Sequence, residues 1–237
     1  MKLRLASLSL LALCLMLTAI PGIAQTLYSN GPINGSTNAW DIVNGFIVSD
    51  SFTLSGSSDA TGFMLGVWNE CEGCGQMTSL EWSMTSGPDG GTVYASGTAT
   101  TSGGSGGLLA SQFLYTNQFG YGIDEVTVLG LNVNFGTGGT YWLNLQNAQG
   151  GDGYFFWDQN SGVGCGGDNG MGGGCPSLAQ DSGVGTIPSE SFTILGTSSS
   201  TTSTSTTTTG TVPEPSSLVL FASGFFGLTA VLRRKLF

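Results

Sequence analysis

The central part of the chain alternates hydrophobic and polar residues in short stretches, which are separated by clusters of Gly, Ser, Asn and Asp. Such alternation is typical of β-strands, because successive side chains point to opposite faces of a sheet. Short strands with turn residues between them favour an all-β fold, here an antiparallel β-sandwich, and we find no convincing helical pattern among them. The nine predicted strands are residues 45–54, 61–69, 79–86, 91–99, 108–116, 124–135, 139–148, 153–160 and 190–196.

The predicted strand 124–135 changes the phase of its alternation halfway. Val126 and Val128 are hydrophobic at even positions, whereas from Leu131 onward the hydrophobic positions are odd. One extra residue in the strand would restore a single buried face, and glycine tolerates the required backbone conformation best. We therefore predict a bulge or a corner at Gly130.

Two hydrophobic segments at the ends of the chain do not alternate. Residues 1–24 begin with two cations, continue with a leucine-rich run and end in a small-residue site at Ala24, as secretory signal peptides do. Residues 218–232 carry no charge and, with the two preceding serines, are just long enough to span a bilayer as a helix. We predict a cleaved N-terminal signal helix and a C-terminal transmembrane helix whose basic end stays in the cytoplasm.

Composition divides the rest of the chain. Residues 197–211 are all Ser or Thr except Gly210, and a segment of this kind cannot bury apolar area. We expect it to be a disordered tether, about 50 Å long when fully extended. The predicted organisation is a signal peptide (1–24), a β-sandwich ectodomain (25–196), a linker (197–211) and a C-terminal segment (212–237).

The charge distribution argues against several functions. The chain has 15 acidic residues, 5 Lys or Arg residues and no His, and its formal net charge is -10. The cationic residues are Lys2, Arg4, Arg233, Arg234 and Lys235. The long cation-free region between them would repel nucleic acid, and it lacks an ordinary base for a serine or cysteine nucleophile. We expect no nucleic-acid partner and no enzyme activity.

A glycoside hydrolase that uses only carboxylates is a remote alternative. Such enzymes need two acidic residues on either side of the scissile bond, about 5 to 9.5 Å apart. The candidates are Glu70, Glu81, Glu125 and Asp158. Their spacing in the sequence identifies no pair.

Four cysteines remain once the signal peptide is removed, and an even number in an exported chain favours two disulfides. They are Cys71, Cys74, Cys165 and Cys175. Pairing of neighbours within each of the two loops is our first choice, and pairing between the loops is the alternative. Two alternatives remain. The cysteines could bind a metal ion. Cys71 and Cys74 could instead form a redox-active pair, although no cation is near in the sequence to stabilise a thiolate.

An aromatic run around residue 155 suggests a binding surface. In a strand, Tyr154, Phe156 and Asp158 would share one face. Phe155 and Trp157 would share the other, and one of the two faces must belong to the core. If Tyr154 or Trp157 lies at an exposed rim beside Asp158, its ring could stack on a sugar while the carboxylate binds hydroxyl groups.

A calcium site is a further, weaker interpretation. Asp152 lies in a Gly-Gly-Asp-Gly sequence, and Asp168 and Asn169 lie in a second glycine-rich stretch. Carboxylate and carbonyl oxygens suit calcium, but neither an EF-hand nor a nonapeptide repeat is present. Asp-Gly and Asn-Gly pairs more often form turns, so we expect no obligatory cofactor.

A short motif and a basic cluster flank the apolar C-terminal helix. They are Val212-Pro213-Glu214-Pro215 and Arg233-Arg234-Lys235. Together with the helix they resemble the PEP-CTERM sorting signal of Gram-negative bacteria. The resemblance implies that an exosortase, a membrane-embedded transpeptidase-like enzyme, recognises the Pro-Glu-Pro tripeptide at the inner membrane and removes the tail.

A second resemblance covers much of the ectodomain. Segments 139–148, 154–162 and 184–196 are similar to the domain that many PEP-CTERM proteins carry before their linker. This similarity implies a jelly-roll-like sandwich and brings no known catalytic residues. Residues 162–175 form an insert that departs from the pattern.

These observations predict an exported structural protein of the cell surface or extracellular matrix, anchored in the membrane during sorting. The alternative is a module that binds exopolysaccharide through an aromatic rim. An exposed coplanar pair of rings would favour the alternative, and burial of all the candidate rings would count against it. The candidate rings are Trp68, Trp142, Tyr154 and Trp157.

Overall fold

The computed structural model describes residues 25–70, 75–151, 153–160 and 177–198. Every regular element in these residues is a β-strand, which confirms the all-β prediction. Among them there is no helix of the length and apolarity that a membrane crossing requires. The strands are β1 (Gln25–Ser29), β2 (Ala39–Asp41), β3 (Val48–Leu54), β4 (Ser58–Asn69), β5 (Ser79–Gly87), β6 (Gly90–Thr100), β7 (Leu108–Thr116), β8 (Gly122–Phe135), β9 (Gly139–Gln149), β10 (Phe155–Asp158), β11 (Ala179–Asp181), β12 (Gly185–Ile187) and β13 (Phe192–Ser198).

The structure contains a strand at each of the nine predicted positions, and it adds four short ones, β1, β2, β11 and β12. The added strands have only three to five residues, too few for an alternating pattern to register. Strand β13 runs to Ser198, two residues beyond its predicted end. The signal peptide, the remainder of the linker and the C-terminal segment lie outside the described residues.

The strands form one continuous sheet of 13 strands. Their order is β1-β13-β4-β8-β7-β6-β5-β9-β3-β11-β12, with β10 paired to β4 and β2 paired to β10. All neighbours are antiparallel except β6 and β7, which meet in parallel at a single pair, Thr100 and Leu108. The predicted antiparallel sandwich and its jelly-roll-like form are therefore not confirmed, and the arrangement is a mixed, curled sheet.

The curl of the sheet encloses the hydrophobic core. Phe52 of β3 packs edge-to-face on Phe192 of β13, with ring centroids 6.3 Å apart, although these strands are distant in the strand order. Phe63 of β4 packs in the same way on Trp82 of β5, at 6.0 Å. All four rings are buried, and each stabilises the fold by roughly 1.5–3 kcal/mol through removal from water. The inner face of β3 thus lies opposite that of β13.

The predicted irregularity at Gly130 is confirmed as a bulge. Strands β4 and β8 pair Gly62 with Leu129 and Ala60 with Val133, so three residues of β8 lie opposite one residue of β4. Gly130 has a φ of 81°, a left-handed conformation that glycine adopts at little cost. The bulge lets the hydrophobic residues on both sides of it face the same core.

Candidate functional site

A groove lined by aromatic rings opens where β4 ends, beside β10 and the turn between β7 and β8. Its volume is about 450 Å³. Its lining residues are Thr37, Asn38, Ala39, Trp68, Phe119, Tyr121 and Phe156. We call this cavity the aromatic groove.

The rings of the groove form one continuous row. Phe119 stacks on Trp68 with centroids 5.9 Å apart and planes inclined by 24°. The ring of Tyr121 is next in the row, and its centroid lies 5.4 Å from that of Trp68 and 6.1 Å from that of Phe156. Tyr154 continues the row by stacking on Phe156 at 6.4 Å and 28°. The two ends of the row are open to solvent, since Phe119 is 55% exposed and Tyr154 is 46% exposed.

The aromatic residues of β10 point alternately to the two faces of the sheet, as the alternation predicts. Phe155 and Trp157 enter the core, whereas Phe156 lines the groove. Trp157 is fully buried; its Nε1 donates to the Ser191 carbonyl at 3.0 Å. The structure therefore corrects the proposed rim position of Trp157, which cannot reach a ligand, and places Tyr154 at the surface as the hypothesis requires.

Asp158 is also buried, with no exposed surface, and it supports the groove from below. Its Oδ1 accepts hydrogen bonds from Trp68 Nε1 at 2.6 Å and from the Gly35 amide at 3.0 Å. Its Oδ2 accepts from the Asn34 amide at 2.9 Å and from Ser191 Oγ at 3.0 Å. Burial raises the pKa of Asp158, and these hydrogen bonds oppose that shift. Asp158 is therefore a positioning residue that fixes Trp68, not a group that contacts a ligand.

One wall of the groove is a loop held by the end of β7 and by the turn that follows it. Tyr115 Oη donates to the Asn34 carbonyl at 3.0 Å, and Asn117 Nδ2 donates to the Gly35 carbonyl at 3.0 Å. Gly35 has a φ of 58°, and a Cβ atom there would lie 2.6 Å from Tyr115 Oη. The positive φ favours glycine here, and any larger residue would have to displace Tyr115 Oη and the Ile123 side chain.

Polar groups lie at the lip of the groove. Thr37 and Asn38 are exposed there and offer a hydroxyl and a carboxamide. At the Tyr154 end, Glu70 Oε2 accepts from the Tyr154 amide at 3.4 Å. A row of rings with a few polar groups at its edge suits a ligand that has apolar faces and many hydroxyl groups.

The candidate hydrolytic carboxylates are placed apart. Glu81 accepts hydrogen bonds from Asn147 Nδ2 at 2.7 Å and Gln146 Nε2 at 3.2 Å, beside a cavity of about 360 Å³. Glu125 lines a different cavity, of about 500 Å³. Asp158 is committed to its four donors beneath Trp68, and Glu81 and Glu125 line different cavities.

Sequence reasoning missed Phe119 and Tyr121, which complete the row of rings. They lie in the Asn-Gln-Phe-Gly-Tyr-Gly sequence, where two aromatic residues are interleaved with turn glycines. Large rings in a tight turn cannot all enter the core, and that signal could have indicated them. The other discriminating rings, Trp68 and Trp142, are buried to more than nine-tenths, and Trp157 is fully buried, so the four rings named from the sequence contain no exposed coplanar pair.

Several predicted site residues lie outside the described residues. They are Cys71, Cys74, Cys165, Cys175, Asp152, Asp168, Asn169, Pro213, Glu214, Pro215, Arg233, Arg234 and Lys235. The disulfides and the calcium site at Asp152, Asp168 and Asn169 therefore stay predictions.

Comparison with known proteins concerns the C-terminal region. No curated protein matches the chain. Residues 211–235 match the family model of the PEP-CTERM protein-sorting motif. The match includes the Pro-Glu-Pro tripeptide and the basic cluster, the two features that carried the resemblance in the sequence. The C-terminal region is therefore a PEP-CTERM sorting motif, which implies export, membrane anchoring before processing, and processing by an exosortase.

Proposed function

We propose that this exported protein is displayed at the cell surface or in the extracellular matrix and binds exopolysaccharide there without catalysis. The observation that supports the proposal best is the row of five rings that begins at Phe119 and ends at Tyr154. Rings at both ends are open to solvent and can stack on the apolar faces of sugar units. Trp68, which is buried, and the partly buried Tyr121 and Phe156 lie between them.

The charge of the domain favours an uncharged polysaccharide. No Lys, Arg or His occurs between Leu5 and Leu232, so the groove has no cation that could pair with a uronate or sulfate group. Acidic sugars would also be repelled by the surplus of carboxylates. Neutral sugars need only stacking and hydrogen bonds, and Thr37 and Asn38 at the lip can supply the latter.

A structural role in the matrix is the second candidate, and strand β7 supports it. Phe113, Leu114 and Tyr115 of β7 are all exposed. On the side facing β6, β7 pairs only at Leu108, so most of that edge has no strand partner among the described residues. Exposed apolar strand edges favour association with other chains.

The binding proposal is tested with the exported protein purified from its native host. Titration with soluble neutral polysaccharides should show binding, and Phe119→Ala and Tyr154→Ala should each weaken it about 5- to 10-fold through loss of one stacking contact. Phe46→Ala is the matched control, because Phe46 is 42% exposed but neither lines the groove nor belongs to the row of rings. An unchanged affinity in both groove variants, or equal binding of acidic polysaccharides, would overturn the proposal.

The sorting step has a separate test. Wild-type protein recovered from the surface should lack residues 233–237, which intact mass measures. Alanine at Pro213, Glu214 and Pro215 should leave the tail attached and the protein in the inner membrane. If both proteins keep the tail in the same fraction, the tripeptide is not the processing signal.

A further inference from the structure

Two acidic residues meet where the inner face of β3 lies opposite the segment before β13. Asp50 and Glu190 are both fully buried. The Glu190 amide donates to Asp50 Oδ2 at 2.6 Å. Asn30 Nδ2 links the two residues, since it donates to the same Asp50 oxygen at 3.2 Å and to the Glu190 carbonyl at 2.6 Å. We call Asp50 and Glu190 the acidic pair.

The acidic pair carries oxygens that have no hydrogen-bond partner. They are Asp50 Oδ1, Glu190 Oε1 and Glu190 Oε2. The hydroxyl of Ser177, a residue that is 2% exposed, lies beside Asp50 and Tyr28 and lowers the pKa of both by hydrogen bonding. The Glu190 carboxylate, by contrast, has neither of its oxygens engaged.

None of the residues that the structure describes carries a cationic side chain that could neutralise the acidic pair. The chain has no Lys, Arg or His from Leu5 to Leu232. The other carboxylates that act on Glu190, those of Asp158 and Asp181, add repulsion. An uncompensated buried carboxylate is costly, so either protons or a cation from solution must neutralise the pair.

We propose that Asp50, Glu190 and Ser177 bind one divalent cation of the calcium type. The available ligands are all oxygens, which hard cations prefer and which zinc and copper sites do not favour. Calcium fits a fully buried site better than magnesium, because magnesium gives up its water ligands reluctantly. The site lies away from the calcium candidates Asp152, Asp168 and Asn169 of the sequence.

The number of carboxylates limits the form of the site. No group of three or more His, Cys, Asp or Glu side chains in the described ranges is arranged to hold a metal ion. The acidic pair therefore supplies the charge, and the Ser177 hydroxyl supplies a neutral oxygen, as calcium coordination commonly combines the two.

The test uses the full-length protein in mild detergent, stripped with a chelator and then dialysed against radioactive calcium at pH 7. We expect the wild type to bind about one calcium ion per molecule and each single variant, Glu190→Gln or Asp50→Asn, to lose it. Glu125→Gln is the matched control, because Glu125 is a partly buried carboxylate in another cavity, and it should keep the ion. Calcium should also raise the Tm of the wild type where sodium chloride of equal ionic strength does not.

Each result decides the proposal. A wild type that binds no calcium overturns it, and the pair then holds protons only. Calcium binding that Glu190→Gln leaves unchanged also overturns it, because the ion is then elsewhere. If both pair variants fail to fold, Ser177→Ala decides: a several-fold weaker calcium affinity supports the site, and an unchanged affinity overturns it.

Discussion

Asp158 beneath the aromatic groove and Glu190 in the acidic pair are both removed from solvent, but they differ in their partners. Asp158 accepts four hydrogen bonds through its two oxygens. Neither oxygen of the Glu190 carboxylate accepts any. A carboxylate whose oxygens are all engaged is part of the scaffold, whereas one without partners keeps its capacity for an ion or a proton. Burial alone therefore does not reveal the role of an acidic residue, and the account of its hydrogen bonds does.

Replacement of Asp158 by alanine should have the largest effect on stability. It leaves the Trp68 indole, two backbone amides and the Ser191 hydroxyl without their acceptor, at an expected cost of about 3–5 kcal/mol in the free energy of unfolding. Asp59→Ala is the control, since it removes only a surface hydrogen bond from Asn134 Nδ2 and should cost under about 1 kcal/mol. Urea unfolding measures both. Equal losses of stability in the two variants would show that the four hydrogen bonds of Asp158 contribute no more than the surface hydrogen bond of Asp59.

The second prediction concerns pH in calcium-free buffer. Burial raises the pKa of Asp50 and of Glu190 well above the ordinary value. An acid with a higher pKa in the folded state binds more protons when folded, so its contribution to stability is complete below the unfolded-state pKa of about 4 and declines as pH rises. The free energy of unfolding should therefore fall as pH rises from 4 towards 7. A free energy of unfolding that rises with pH over this range would contradict the raised pKa values of the acidic pair.

Glu190→Gln should change stability in the opposite direction to Asp158→Ala. Burial, and next the nearby carboxylates of Asp50, Asp158 and Asp181, raise the pKa of Glu190 and oppose its ionisation in the folded protein, and glutamine removes the ionisable group. We expect the variant to be more stable by about 1 kcal/mol, while Glu125→Gln changes little. Urea midpoints at constant m-value report the difference. A destabilised Glu190→Gln would indicate that its carboxylate has partners after all.

The smallest expected effect on folding is that of Phe119→Ala. Its ring is 55% exposed and caps the row without entering the core, so the free energy of unfolding should change by less than about 0.5 kcal/mol. The same substitution should weaken polysaccharide binding, as proposed above. A large loss of stability would mean that the ring serves the fold rather than a ligand.

The sequence contains more of this site than its local patterns first suggest. Asp50 is two residues from both Val48 and Phe52 in β3, and Glu190 is two residues before Phe192. Both acidic residues therefore occupy positions of the alternating pattern that hydrophobic residues otherwise fill, which is a signal of buried charge. Their meeting was not predictable, because 140 residues separate them and only the curl of the sheet brings β3 opposite β13.

The strands and the bulge at Gly130 followed from alternation, which is a local property. The strand order did not, because β13 inserts between β1 and β4 at the far end of the sequence. The aromatic groove likewise depends on contacts between residues that are far apart in the sequence. Tyr154 was assigned from its own strand, whereas Phe119 joins it through long-range pairing of β8 with β4 and of β4 with β10.

The position of β13 determines how the domain bears mechanical load. The linker continues directly from this strand, which is hydrogen-bonded to β1 on one side and to β4 on the other. Tension that reaches β13 along its axis would load both ladders together, because the strand is paired on both sides. A domain that holds a polysaccharide while its tail is held at a membrane would thus carry the load on a doubly paired strand rather than on an edge strand.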